Sequence, residues 1–188
     1  VDGAIIGDAV SICKLLYTFI FMQGVAQRHG MLYNVCDIGG NSMKLHKIKG
    51  KNKYCGPAAL SAAFGISSQY AAKLIRTRCA GYDGGVKGTY GASLKIVFDY
   101  YDVESTYSGI IPRNEQVTFN HWVKETFPHY PNSTFIVAVK NHWITIHNGY
   151  FIDRVVSKNK PVLISDYPHP RAKVTDVIEI TGGTIPAE

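Results

Sequence analysis

The stretch FIVAVKNHWITIHNGYFIDRVV, residues 135 to 156, restricts the folds open to this chain more than any other. β-Branched and aromatic residues crowd it, and Asn148-Gly149 stands in its middle between two apolar runs. That dipeptide favours the left-handed backbone of a two-residue type I′ turn, whose twist matches the strands it joins. Such a turn sets the pairing: His147 opposite Tyr150, Ile146 opposite Phe151, Thr145 opposite Ile152 and Ile144 opposite Asp153. Side chains alternate faces along a strand. His142, Ile144 and Ile146 therefore share a face with Phe151 and Asp153, while His147 takes the other. A slip of one residue would exchange the two histidines.

The preceding half of the chain has a different texture. Pro57 suits the first turn of a helix, Ala58 to Phe64 favour its continuation, and Gly65 stops it. Ser67 or Ser68 can cap a second helix, SQYAAKLIRTRCAG, in which Tyr70, Leu74, Ile75 and Cys79 recur at helical spacing. A third helix is predicted over ASLKIVFDYYDV and a fourth over VTFNHWVKETF, residues 117 to 127, ended by Pro128. Further strands are predicted at 162 to 164 and 174 to 180. Helices first and an antiparallel sheet after them make an α+β layout. At 188 residues, 46% of them hydrophobic, the chain can bury the core of one such domain. Its main domain is expected at 46–188. Residues 1–45 read as an apolar N-terminal helix or arm followed by a linker, the Gly-, Asn- and Lys-rich stretch 34 to 54 leading into the domain.

The first of these helices opens with a cysteine, in KYCGPAALSAAFGIS. A thiol is a useful nucleophile as its thiolate, and unpaired N–H groups at a helix start favour the anion. Gly56 leaves room for a substrate backbone to come close. The small residues of the helix let it press against a sheet. The hairpin supplies the rest. His142 and Asp153 are diagonal neighbours about 7–8 Å apart at the backbone, within reach for long side chains. Cys55 is thus the candidate nucleophile, His142 the group that holds or takes its proton, and Asp153 the carboxylate that fixes the imidazole tautomer. The backbone N–H of Cys55 is a candidate oxyanion donor. Asn52, Gly56 and Trp143 are the candidate oxyanion and substrate-binding residues.

Cys55-Gly56-Pro57-Ala58-Ala59-Leu60, the helices after it, the strand FIVAVKNHWITI leading to a histidine, and NGYFID ending in an aspartate together resemble papain-like cysteine peptidases. The resemblance is nearest to the bacteriocin-processing (double-glycine leader) peptidase domains and covers about 55 to 180. It implies a papain-like fold with N-terminal helices packed on an antiparallel sheet, and a Cys-His-Asp hydrolase of peptide or isopeptide bonds that needs no cofactor. Family members place a glutamine six residues before the cysteine as an oxyanion donor. Lys49 holds that position here, and Asn52 is the nearest amide that can substitute. Transglutaminases, deamidases and acyltransferases use the same three residue types, and a non-enzymatic docking module of a larger assembly such as a virion or secretion machine is a further alternative.

The remaining features constrain partners. The net charge is +6, and five lysines with one histidine fall in KLHKIKGKNKY, residues 44 to 54. Solvated lysines are the plain reading, contact of residues 44–53 with an anionic surface the other; no zinc-finger or RNA-binding motif accompanies them. The apolar segment 9–25, broken by Lys14 and Gln23, is short of a bilayer span and is read as a helix docked on this protein or on a protein neighbour, with a membrane surface as the second reading. Four cysteines without a C-x-x-C pair fit free thiols in a reducing compartment or within a larger assembly better than a disulfide scaffold. No histidine spacing suggests a metal site.

Overall fold

A computed structural model describes residues 44–130 and 132–188, which belong to one compact unit. The segment 9–25, Cys13, Cys36 and the Gly39-Gly40 pair lie outside the described residues. Three helices come first: α1 (Cys55–Phe64), α2 (Ser68–Arg78) and α3 (Gly91–Tyr100). Strand β1 (Glu104–Ile110) and helix α4 (Phe119–Glu125) follow. The chain closes with β2 (Thr134–Val139), β3 (His142–His147), β4 (Tyr150–Ile152), β5 (Val162–Leu163) and β6 (Val174–Gly182). The strands form one open antiparallel sheet in the order β1-β6-β2-β3-β4-β5.

Local chemistry explains the boundaries. Gly65 ends α1 with φ 71°, its N–H donating to the Ser61 carbonyl. The Ser67 hydroxyl accepts from the Tyr70 N–H at 3.1 Å and starts α2. Thr118 takes the cap position of α4 by accepting from the His121 N–H, so that helix begins two residues later than the sequence pattern suggests. It also stops earlier, and Pro128 sits inside a separate 3₁₀ turn, Phe127–His129. Strand β1 is not evident in the sequence. Two serines and a glycine interrupt ESTYSGI, and its alternation of exposed and half-buried residues is that of an edge strand.

Two hairpins join the central strands. Asn148 and Gly149 adopt φ 48° and 76°, and His147, Ile146 and Thr145 pair with Tyr150, Phe151 and Ile152, the register expected from the sequence. Lys140 and Asn141, at φ 53° and 60°, make a second two-residue turn between β2 and β3, which pairs Val139 with His142. Inside the strands the alternation sorts the core into two layers. Ile136, Ala138, Trp143, Ile178 and Ile180 pack with Leu60, Ile75, Leu94 and Phe98 of the three helices. Phe135, Val137, Ile144, Ile146 and Phe151 pack with Phe119 and Trp122 of α4 on the other face.

Residues 44 to 54, read from composition as the end of a linker, are instead a strap laid across α1. Ile48 is buried with Ala58, Ala62 and Ile152, and Leu45 packs against them. The His46 N–H donates to the Ala62 carbonyl at 2.9 Å and the Lys49 N–H to the Ser61 hydroxyl at 3.0 Å. Its five lysines all point to solvent. Asn159 clamps the strap from the far end of the chain: its Oδ1 accepts from the Ile48 N–H at 2.7 Å and its Nδ2 donates to the Ile48 carbonyl at 3.0 Å. Replacing Asn159 with Ala orphans both backbone groups of a buried residue. The expected cost is about 2 kcal/mol in urea denaturation, with faster amide exchange at Ile48. An unchanged midpoint would show that the strap lies outside the cooperative unit.

Candidate active site

Cys55 is the first residue of α1. Tyr54, the residue before it, provides no side-chain cap for the helix. The N–H groups of the first turn are therefore not consumed by a neighbouring serine or aspartate, and that of Gly56 bears on the Cys55 sulfur. His142 is the first residue of β3, placed by the Lys140-Asn141 turn. Asp153 follows the last residue of β4. All three stand where their elements begin or end, so at this rim of the sheet the helix layer and the α4 layer no longer separate them.

His142 Nε2 lies 2.6 Å from Asp153 Oδ2. The ring is also near enough to the Cys55 thiol for each to shift the other's titration. With Nε2 occupied by the carboxylate, Nδ1 is the nitrogen left for the sulfur. Asp153 is only 2% exposed. Its Oδ1 accepts from the N–H groups of Val156 (2.9 Å) and Ser157 (2.6 Å), and its own N–H and carbonyl are tied to the Ser157 hydroxyl. Tyr167, itself buried, lies close enough to feel the Asp153 charge.

The electrostatics follow from these contacts. Burial pushes the Cys55 thiol up, but the His142 hydrogen bond, the Trp143 N–H, the imidazole charge and the Gly56 N–H together outweigh it and hold the thiol below its ordinary value. Hydrogen bonding to Asp153, then to Cys55, pushes His142 up to about 9 against the opposing effect of burial. Burial likewise acts to raise Asp153; the bonds from His142, Ser157 and Val156 prevail and keep it below the usual carboxylate range. All three shifts act in one sense, toward a charged ring, an ionised carboxylate and a thiol that gives up its proton more readily than usual.

The other expected residues fall differently. Asn52 Oδ1 accepts from the Tyr54 N–H at 3.0 Å, which fixes the side chain just ahead of Cys55 and leaves its NH₂ as the donor end. Trp143 is buried at 6% exposure, and its indole N–H donates to the Thr89 carbonyl at 2.8 Å. Its side chain is thus a prop for the glycine-rich segment YDGGVKGTYG, residues 82 to 91, not an exposed wall for substrate; its backbone is the part that bears on the sulfur. Gly56 is buried, and a Cβ there would come within 2.1 Å of Thr89 Oγ1. The glycine is required by Thr89, a tighter demand than room for a substrate backbone. Lys49 is exposed and offers no amide in place of a glutamine. His147 turns away, its Nδ1 3.1 Å from Thr134 Oγ1, and Cys79 is buried with its thiol donating to the Ser93 carbonyl.

Three contributors were not apparent from sequence. Ser157 and the Val156 N–H complete the socket of Asp153; a polar residue four positions after an aspartate is a usual turn signal, and it was present in DRVVS. Arg154 donates from one nitrogen to the carbonyls of Lys49 and Gly50 and to the Ser68 hydroxyl, joining the aspartate loop to the strap and α2. No local pattern announces a contact across more than eighty residues. Comparison with protein-family models, with curated proteins and with solved structures found no match for this chain.

A raised imidazole contributes stability that is fully present below its ordinary 6.5 and is lost as pH climbs through about 9. Alkylation of Cys55 by iodoacetamide, followed by peptide mapping, is therefore expected to begin below the ordinary thiol range, and in His142→Ala to begin about one pH unit or more higher. Onset at the same pH in both proteins would mean that the ring does not activate the sulfur. Asp153→Asn removes the charge that holds the ring. It is expected to lower the His142 titration, followed by NMR, from about 9 toward 6.5 and to destabilise the fold by about 3 kcal/mol.

Proposed function

We propose that this chain is a cysteine peptidase of papain-like type, cleaving a peptide or isopeptide bond. The observation that carries the reading is the placement of one set of groups: a thiol at a helix start, within reach of an imidazole whose Nε2 is 2.6 Å from a buried carboxylate. The helix layer that presents the cysteine to an antiparallel sheet bearing the histidine supports the papain-like fold. In the first step the Cys55 thiolate adds to the carbonyl carbon, whose oxygen takes up the displaced electron pair. The N–H of Cys55, at the open helix start, and the NH₂ of Asn52 are the donors assigned to that oxyanion. His142, protonated at Nδ1, passes its proton to the leaving amine as the carbon–nitrogen bond breaks. A thioester remains. Water then gives a proton to the same nitrogen while its oxygen attacks the thioester carbon, and the thiolate leaves. Asp153 keeps the ring oriented and its cation stabilised throughout.

The test is digestion of a proteome-derived peptide library, read by mass spectrometry in water enriched in heavy oxygen. The wild-type chain is expected to produce new carboxyl termini carrying the label, and Cys55→Ala none. Products that instead carry an added amine would assign the same site to transfer. No product of either kind, from a chain whose Cys55 is alkylated as above, would overturn the enzymatic reading. Asn52→Ala is expected to lower kcat about tenfold to a hundredfold with little change in KM, as loss of one oxyanion donor does.

A further inference from the structure

A second feature lies along the same rim. The segment after Tyr167 and the Lys140-Asn141 turn enclose an open groove of about 570 Å³, lined by Lys140, His169, Arg171, Lys173 and Thr175 together with the two prolines of the segment. Three formal cations and a histidine face this space, and no acidic side chain lines it. Lys173 is partly engaged, donating to the Gln116 carbonyl at 3.0 Å. Lys140 and Arg171 are exposed and, among the described residues, make neither an ion pair nor a side-chain hydrogen bond.

The groove is held in shape before anything binds. The Phe119 N–H donates to the Ala172 carbonyl at 2.8 Å and the Asn120 N–H to the Pro170 carbonyl at 2.9 Å, fastening the segment to the start of α4. Pro168 and Pro170 limit its backbone freedom. Lys140 adds a second sign of purpose. It occupies a left-handed turn position, φ 53°, that asparagine, aspartate or glycine fills at less cost. At that position the lysine lines the groove.

Distance connects the groove to the chemistry. Val139 pairs with His142 on one side and with Val174 on the other. The residues that begin β3 and β6 are thus two strand spacings apart, about 10 Å, the span of about three residues of an extended peptide. The wall of the groove also continues into the cover of Asp153, since the His169 ring meets that of Tyr167 edge-on at 5.9 Å.

We propose that this groove is a specificity subsite that accepts an acidic side chain of the peptide substrate within about three residues of the scissile bond. The assignment rests on the peptidase reading for its place in catalysis, but not for binding itself. A carboxylate suits the guanidinium of Arg171 in a forked geometry and the ammonium of Lys140 as a point charge. The groove tells the enzyme which peptides to hold; it does no chemistry.

The test uses the full chain carrying Cys55→Ala and two fluorescein-labelled peptides that differ only in three glutamates against three glutamines. At low salt the glutamate peptide is expected to bind about fivefold tighter or more. The double variant Lys140→Glu/Arg171→Glu should abolish or reverse that preference, whereas Lys47→Glu/Lys51→Glu, an equal change of charge on the strap, should leave it. Equal binding of the two peptides, or equal loss in both double variants, would overturn the subsite. So would an oligonucleotide that binds through Lys140 and Arg171 more tightly than the glutamate peptide. A chain that selects glutamate yet cleaves nothing in the library keeps the groove and loses the peptidase. One that cleaves without regard to acidic residues does the reverse.

Discussion

A carboxylate only 2% exposed stands at the centre of this molecule's site. An unpaired charge in that position would cost several kcal/mol and would pick up a proton instead. Asp153 stays ionised because its lone pairs are taken: Oδ1 by two backbone N–H groups, and Oδ2 by an imidazole at 2.6 Å. That last bond is what commits His142. A ring free to rotate could offer either nitrogen to the sulfur, or neither. Once Nε2 is held, Nδ1 is the nitrogen left for the thiol, and the pairing lowers the thiol while it raises the ring. The lowered thiol is thus linked, through the ring, to a charge buried two groups away.

The same loop also holds the cysteine in place by a separate route. Arg154, next to the buried aspartate, donates to the carbonyls of Lys49 and Gly50, and Asn159 grips both backbone groups of Ile48. The strap these residues hold runs straight into the first residue of α1. Nucleophile and carboxylate are ninety-eight positions apart (153 less 55), yet a handful of hydrogen bonds makes one body of the segments that carry them. Ile48 and Ile152 meeting in the same small apolar cluster adds contact area to that link.

Sequence reading reached some of this and not the rest, and the division is physical. The Asn148-Gly149 turn leaves the backbone one low-energy course, so parity selected His142 over His147 before any coordinates. Ser67 and Gly65 act through neighbours three or four residues away, which is why helix boundaries were legible there. Strand β1 was not, because ESTYSGI is an edge with one weakly buried face. The turn at Lys140-Asn141 was missed for a related reason: lysine carries no preference for left-handed backbone, and its strain is absorbed by a register that only the folded sheet imposes. The roles of Gly56 and Trp143 turned on Thr89, a residue brought in from a glycine-rich segment by tertiary packing alone. Local rules read local forces.

The position of the site follows from the two-layer core. Inside the sheet most buried side chains belong to one apolar layer or the other, Ile144 and Ile146 toward α4 and Trp143 toward the helices. A polar group there needs a partner built in, as Thr145 has in the Ala59 carbonyl and Thr134 in His147. At the rim the layers end, the turns supply unpaired backbone groups, and charged side chains can be half-buried without being stranded. Cys55, His142 and Asp153 occupy that rim, and so do Lys140, Arg171 and Lys173. The arrangement places a cationic groove beside an imidazolium, at distances over which water screens only in part. An acidic group held there would add negative potential near His142 and favour the protonated ring, the form that the proposed cleavage requires. Selection of the substrate and readiness of the acid would then draw on one electrostatic field.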